Sequence, residues 1–90
     1  MISVTTKRFR TAYSGLTEQT KEATRKAYAL WKKNPNHPSL HFKKIHSKKQ
    51  IYSVRISLGW RAIGIKEDNT IIWFWIGAHS DYDKLIASLK

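Results

Sequence analysis

Three side chains in this sequence have the chemistry to act on a phosphodiester: Arg55, Arg61 and His79. Arg55 belongs to the alternating segment from Ile51 to Ser57 and projects opposite Tyr52, Val54 and Ile56, because successive strand residues point to opposite faces. Arg61 follows Trp60 at the start of the next strand, and His79 stands at the exit of the apolar run Ile71 to Ile76, just before Ser80. An imidazole is the side chain best suited to moving protons near neutral pH. Such parts suffice to cleave RNA without a metal. A base removes the 2′-hydroxyl proton, that oxygen attacks the adjacent phosphate, and an acid protonates the leaving 5′-oxygen. Guanidinium groups fixed in advance offset the charge that gathers on the phosphorane oxygens. Trp60 and Tyr82 supply aromatic faces on which splayed bases would stack, if they are not spent on the core. A plainer reading stays open for each residue: Arg55 and Arg61 as a solvated face or as partners for a binding protein's carboxylates, His79 as a hydrogen bonder at a helix start.

Other chemistries find less support. Asp81 and Asp83 fall in the first turn of a helix, where the macrodipole accounts for them. The four glycines are dispersed and form no phosphate loop, and without cysteine there is no disulfide, thiolate zinc site or thiol nucleophile. His37, His41 and His46 share a polar segment but lack a carboxylate or a ligand-spaced pair, so they are expected to be exposed. No metal and no small-molecule cofactor is expected.

The elements that must position these residues begin with Ile2 to Thr5, which alternates like a strand, and Thr5 or Thr6 caps the helix after it. Phe9, Tyr13 and Leu16 mark one face of that short helix, interrupted near Gly15. Thr17 caps a second helix, whose seam runs through Leu16, Thr20, Ala23, Ala27, Leu30 and Trp31 until Pro35 and Pro38 end it. Four strands come next: Leu40 to Ile45, Ile51 to Ser57, Trp60 to Ile65 and Ile71 to Ile76, the last without a polar side and so expected to be covered on both faces or to sit centrally in the sheet. Short connections imply an antiparallel meander. Ser80-Asp81-Tyr82-Asp83 has the spacing of a capping box ahead of a final helix with Leu85, Ile86 and Leu89 on one face. The order is β-α-α-β-β-β-β-α, an α+β fold in one domain spanning residues 1–90.

Charge bears on the partner. Seventeen Lys and Arg against six Asp and Glu leave a net +11 on 90 residues. Between Ala23 and Lys66 stand eleven basic residues and no carboxylate. Such an excess repels itself and draws polyanions through counterion release, which favours nucleic acid over solubility alone or a basic patch masked by an acidic protein partner. No apolar run approaches the ~20 residues of a membrane span, and Met1 to Arg8 has no signal-peptide stretch, so a cytoplasmic protein with no membrane contact is expected.

Tyr52-Ser53-Val54-Arg55-Ile56, Gly59-Trp60-Arg61-Ala62-Ile63 and Trp75-Ile76-Gly77-Ala78-His79, preceded by Asn34-Pro35 and Pro38-Ser39-Leu40, resemble in this order the RelE/ParE superfamily of type II toxins. The resemblance implies a helical hairpin on a twisted antiparallel sheet and a cognate acidic antitoxin that wraps the toxin. RelE-like members imply ribosome-dependent cleavage of mRNA. By position, Arg61 resembles the phosphate-stabilising arginine, Arg55 a strand cation, and His79 the general acid of YafQ-type members. Ser53 falls where some relatives have lysine, and Tyr82-Asp83 departs from several members. Lys43, Lys44, Lys48 and Lys49 are then expected to contact ribosomal RNA. Two alternatives stay open: a ParE-like DNA gyrase inhibitor, and a non-catalytic remnant that binds RNA or antitoxin.

Overall fold

The structure, a computed structural model, describes residues 1–89. In chain order the elements are β1 (Ile2–Thr5), α1 (Lys7–Ser14), α2 (Glu18–Lys33), a 3-10 turn (Pro38–Leu40), β2 (Lys43–Lys44), β3 (Ile51–Ser57), β4 (Trp60–Glu67), β5 (Thr70–Ala78) and α3 (His79–Leu89). Helix starts show the expected chemistry. Thr6 Oγ1 accepts from the Phe9 N–H at 3.1 Å, and Thr17 Oγ1 from the Thr20 N–H at 3.2 Å, each satisfying a donor that the first helical turn leaves unpaired. α2 ends at Asn34, with Lys32 and Lys33 in the last turn, where the dipole favours cations.

The five strands form one sheet in the order β1-β5-β4-β3-β2. β2 through β5 make the antiparallel meander, and β1 adds to β5 in parallel, with Ile2 opposite Thr70 and Thr5 opposite Trp73. That parallel edge makes the sheet mixed. It arises from the α1–α2 hairpin, which returns the chain to the far side of the sheet.

Both faces are covered, by different helices. Phe9, Trp31, Leu40, Val54, Ala62, Ile71, Trp73 and Ile76 pack under α1 and α2, and Trp31 meets Trp73 edge-on with ring centroids 5.5 Å apart. On the opposite face Ile51, Ile63 and Tyr82 pack together, joined by Phe74, Trp75, Leu85 and Ile86 from β5 and α3. The apolar run of β5 therefore serves two cores. A register shift between Ile63 and Gly64 allows Trp73 on one face and Phe74 and Trp75 on the other. A Cβ on Gly64 would lie 2.9 Å from Ile71 Cγ1 and from Trp73 Cε3, so the bulge requires a residue with no side chain there.

One expected strand is shorter than its sequence suggested. Leu40 lies in the 3-10 turn and is buried, His41 takes a left-handed backbone (φ 44°), and only Lys43 and Lys44 pair with β3. Pro38 at the start of the turn fixes a helical φ, and Leu40 gains more by entering the core than by pairing. No helix among the described residues is long and apolar enough to cross a membrane.

Candidate active site

Register brings the two arginines together. Arg55 on β3 lies directly across from Arg61 on β4, and Arg61 lies across from Gly77 on β5. Paired residues share a face, here the one that α3 crosses. Like charges directly opposite one another are unfavourable, and among the described residues no carboxylate forms an ion pair with either guanidinium. Partial burial, with Arg55 second, lowers the pKa of Arg61, and Tyr82 and Asp83 act against that shift. The pair is a cationic spot without an ionic partner among the described residues.

Arg61 is also anchored. Its Nη1 donates to the carbonyls of Ser57 (2.6 Å), Trp60 (2.9 Å) and Leu58 (3.4 Å), which ties it to the β3–β4 turn, and its Cζ sits 6.0 Å from the centre of the Tyr82 ring. Arg55 is looser: its Nη1 lies 3.5 Å from His41 Nε2.

His79 opens α3, without a loop between it and β5. Its backbone N–H donates to the Gly59 carbonyl at 2.8 Å, pinning the helix start to the same turn that Arg61 holds. The expected capping box is replaced by this contact, and Asp83 takes another role: its Oδ2 lies 3.1 Å from His79 Nδ1. A carboxylate accepting from Nδ1–H fixes the tautomer and leaves Nε2 for other partners. The His79 side chain is 45% exposed, so a substrate can reach it.

The other expected contacts divide. Lys43 and Lys44 are exposed on the edge strand, with Lys43 across from Ser53, and Lys48 and Lys49 are exposed in a bend whose amides both donate to His46 Nδ1. Trp60 is half-buried beside Arg61. Tyr82 departs from its expected role as a stacking platform. It is 7% exposed and its hydroxyl donates to Ser53 Oγ at 2.9 Å, because α3 crosses the sheet at this ring. Ser53, the position without the relatives' lysine, is thus a buried structural partner. Sequence reasoning missed Asp83 as the orienting group for His79 and missed His41 beside Arg55. The first was legible in the i, i+4 spacing; the second depends on the turn geometry at Pro38.

A second feature lies on the other face. A cleft of about 600 Å³ opens between the helical hairpin and the sheet, lined chiefly by Phe9, Tyr13, Tyr28, Trp31 and Trp73, with Arg10 and Arg25 among its polar residues. Trp31 is 2% exposed, and its indole Nε1 has no hydrogen-bond partner among the described residues.

Comparisons to known proteins bear on the fold and the family. A family model described as a ParE-like toxin domain matches residues 18–84. No match is found among curated protein sequences. Among solved structures, YafQ from E. coli strain BL21(DE3) is similar at TM-score 0.70 and 13% identity, covering 89% of this chain and 94% of its own. A chain of the RelB–RelE antitoxin–toxin complex from Methanococcus jannaschii gives 0.70 and 17%, covering 90% and 96%. The YoeB/ParE toxin from Agrobacterium tumefaciens gives 0.67 and 14%, covering 88% and 99%. At such identities these likenesses speak for the fold, and the family match covers most of the sequence. The chain belongs to the ParE-like toxin domain family, within the RelE/ParE superfamily of toxins.

Proposed function

We propose that this chain is the toxin of a type II toxin–antitoxin pair and that it arrests growth by cutting messenger RNA in the ribosomal A site. The observation that carries this reading is the cross-strand pair Arg55–Arg61, without an ionic partner among the described residues, with a carboxylate-oriented imidazole two residues beyond Gly77, the residue across from Arg61. The scissile phosphate seats over the two guanidiniums, which balance the charge of the phosphorane. His79 serves as general acid from Nε2, with Asp83 holding its ring in place. Lys43, Lys44, Lys48 and Lys49 engage ribosomal RNA, and Trp60 offers its exposed edge to a neighbouring base. The ribosome supplies much of the alignment of the 2′-oxygen with phosphorus, a large part of the barrier for such a reaction.

The antitoxin in this reading is acidic and amphipathic. It lays apolar side chains in the cleft between the hairpin and the sheet and pairs its carboxylates with Arg10 and Arg25. Three of the similar structures are described as complexes of RelB with RelE, which supports a partner of this kind.

Induced expression followed by mapping of mRNA 5′ ends tests the proposal. The expected result is growth arrest with new ends phased to codons, appearing only on translated messages and lost in His79→Ala and Arg61→Ala. Intact messages during arrest would reject the ribonuclease reading, and a concurrent block of DNA supercoiling would favour the gyrase-inhibitor alternative.

A further inference from the structure

Cleavage through the 2′-hydroxyl asks for two proton transfers, and His79 accounts for one of them. We propose that His41 is the second proton-transfer group, the general base that takes the 2′-hydroxyl proton, acting from Nε2 beside Arg55. The proposal rests on the ribonuclease reading above and adds to it a residue that neither the motifs nor the family match singles out.

Three observations carry it. The first is proximity: His41 Nε2 lies 3.5 Å from Arg55 Nη1. Arginine has only donors, so in that contact Nε2 carries the unprotonated lone pair, and that lone pair becomes free to take a proton when Arg55 turns from the ring to the phosphate. The second is position. Across the sheet run β5, β4, β3 and β2, so His79 at the end of β5 and His41 on the approach to β2 flank Arg61 and Arg55 from opposite sides. Attack and departure in line at phosphorus call for base and acid on opposite flanks of the phosphate, with the cations between them.

The third is the backbone. His41 closes the 3-10 turn at φ 44°, ψ 40°, with its N–H donating to the Pro38 carbonyl at 3.3 Å. Glycine or asparagine ordinarily fills such a left-handed position. Histidine is among the non-glycine residues that adopt this backbone most readily, and the turn holds its ring within reach of Arg55. The ring is also exposed, while His37 and His46 spend their Nδ1 atoms on local backbone amides of the 3-10 turn and the β2–β3 bend.

The step balances. The 2′-O–H proton passes to His41 Nε2 as the 2′-O–P bond forms, and the P–O5′ bond breaks as His79 gives a proton to the 5′-oxygen. The products are a 2′,3′-cyclic phosphate and a 5′-hydroxyl, and the two imidazoles regain their starting states by exchange with solvent.

The test compares single-turnover cleavage by the full-length protein on ribosomes programmed with two messages, one natural and one carrying sulfur in place of the 5′-bridging oxygen at the cleavage site. Sulfur leaves without an acid. His41→Asn is the variant of choice, because asparagine tolerates the left-handed backbone and still accepts from Arg55 but cannot carry the proton. Its thermal unfolding is expected to match wild type. It should slow both messages about equally, by roughly 10²–10⁴-fold, whereas His79→Ala should slow only the natural one. Imidazole added to His41→Gly should restore part of the lost rate. Wild-type rates in His41→Asn would overturn the inference and leave the ribonuclease reading intact. A defect in His41→Asn that sulfur relieves would overturn the base assignment. A wild-type protein that cuts neither message would overturn both the inference and the reading beneath it.

Discussion

Nη1 of Arg61 holds the carbonyls of Ser57 and Trp60 at 2.6 and 2.9 Å, so this guanidinium is fixed to the β3–β4 turn before any substrate arrives. Arg55 has no such anchor, and the only partner of its guanidinium among the described residues is His41. The two arginines should therefore behave differently on substitution. Arg61→Ala is expected to reduce cleavage by about 10²–10³-fold, the usual effect of losing one preorganised donor to a developing oxyanion, and also to lower the melting temperature, since the turn loses its tie. Arg55→Ala is expected to lose activity while the melting temperature holds or rises, because a like-charge pair has been relieved. Parallel thermal scans and cleavage rates on both variants check this. A melting temperature that falls as far in Arg55→Ala as in Arg61→Ala would show that the pair is structural. Sequence alternation placed Arg55 on the face opposite Tyr52, Val54 and Ile56, and Arg61 at the start of the next strand, but which carbonyls Arg61 holds depends on the course of the Leu58–Gly59 turn, which no periodicity encodes.

At the scale of elements, the helices and the meander were legible because their signals are local. Thr6 and Thr17 cap as their side chains suggest, the seam of α2 ends in the buried Trp31, and β3 alternates between a face under the helices and a face under α3. Two features were not legible. The strand read from Leu40 to Ile45 shrinks to Lys43–Lys44, because Leu40 is drawn into the core beside Trp31 and Val54. Tyr82, read as a stacking surface, is buried because α3 starts directly at the end of β5 and folds back over Ser53. Long-range packing decided both. The glycines give a quantitative check. Gly64→Ala places a methyl 2.9 Å from Ile71 Cγ1 and from Trp73 Cε3 and 3.1 Å from the Ile72 carbonyl, so a loss of about 1–3 kcal/mol is expected in urea denaturation. Gly59→Ala meets nothing within 4 Å and has no positive φ, so a change within about 0.5 kcal/mol is expected. Equal effects at the two positions would mean that the bulge is not as tightly packed as described.

For the molecule as a whole, the two faces of the sheet carry different work. The α3 face presents the cationic pair and His79; the opposite face presents an apolar cleft with arginines in its lining. On the proposed reading, a net +11 makes association with the ribosome salt-dependent, and each phosphate contact adds about 0.7–0.9 to the slope of log affinity against log salt. Lys48→Ala combined with Lys49→Ala is expected to lower that slope by one to two contacts' worth in a ribosome-binding titration; an unchanged slope would place those lysines away from RNA. The central claim is chemical: the 2′-oxygen of the message is the nucleophile, and the protein supplies protons and charge. End-group analysis of the cut message tests it most directly. The account predicts a 2′,3′-cyclic phosphate with a 5′-hydroxyl, and no cut when the nucleotide before the scissile bond lacks its 2′-hydroxyl. A 5′-phosphate with a 3′-hydroxyl, or undiminished cutting of the 2′-deoxy message, would contradict it.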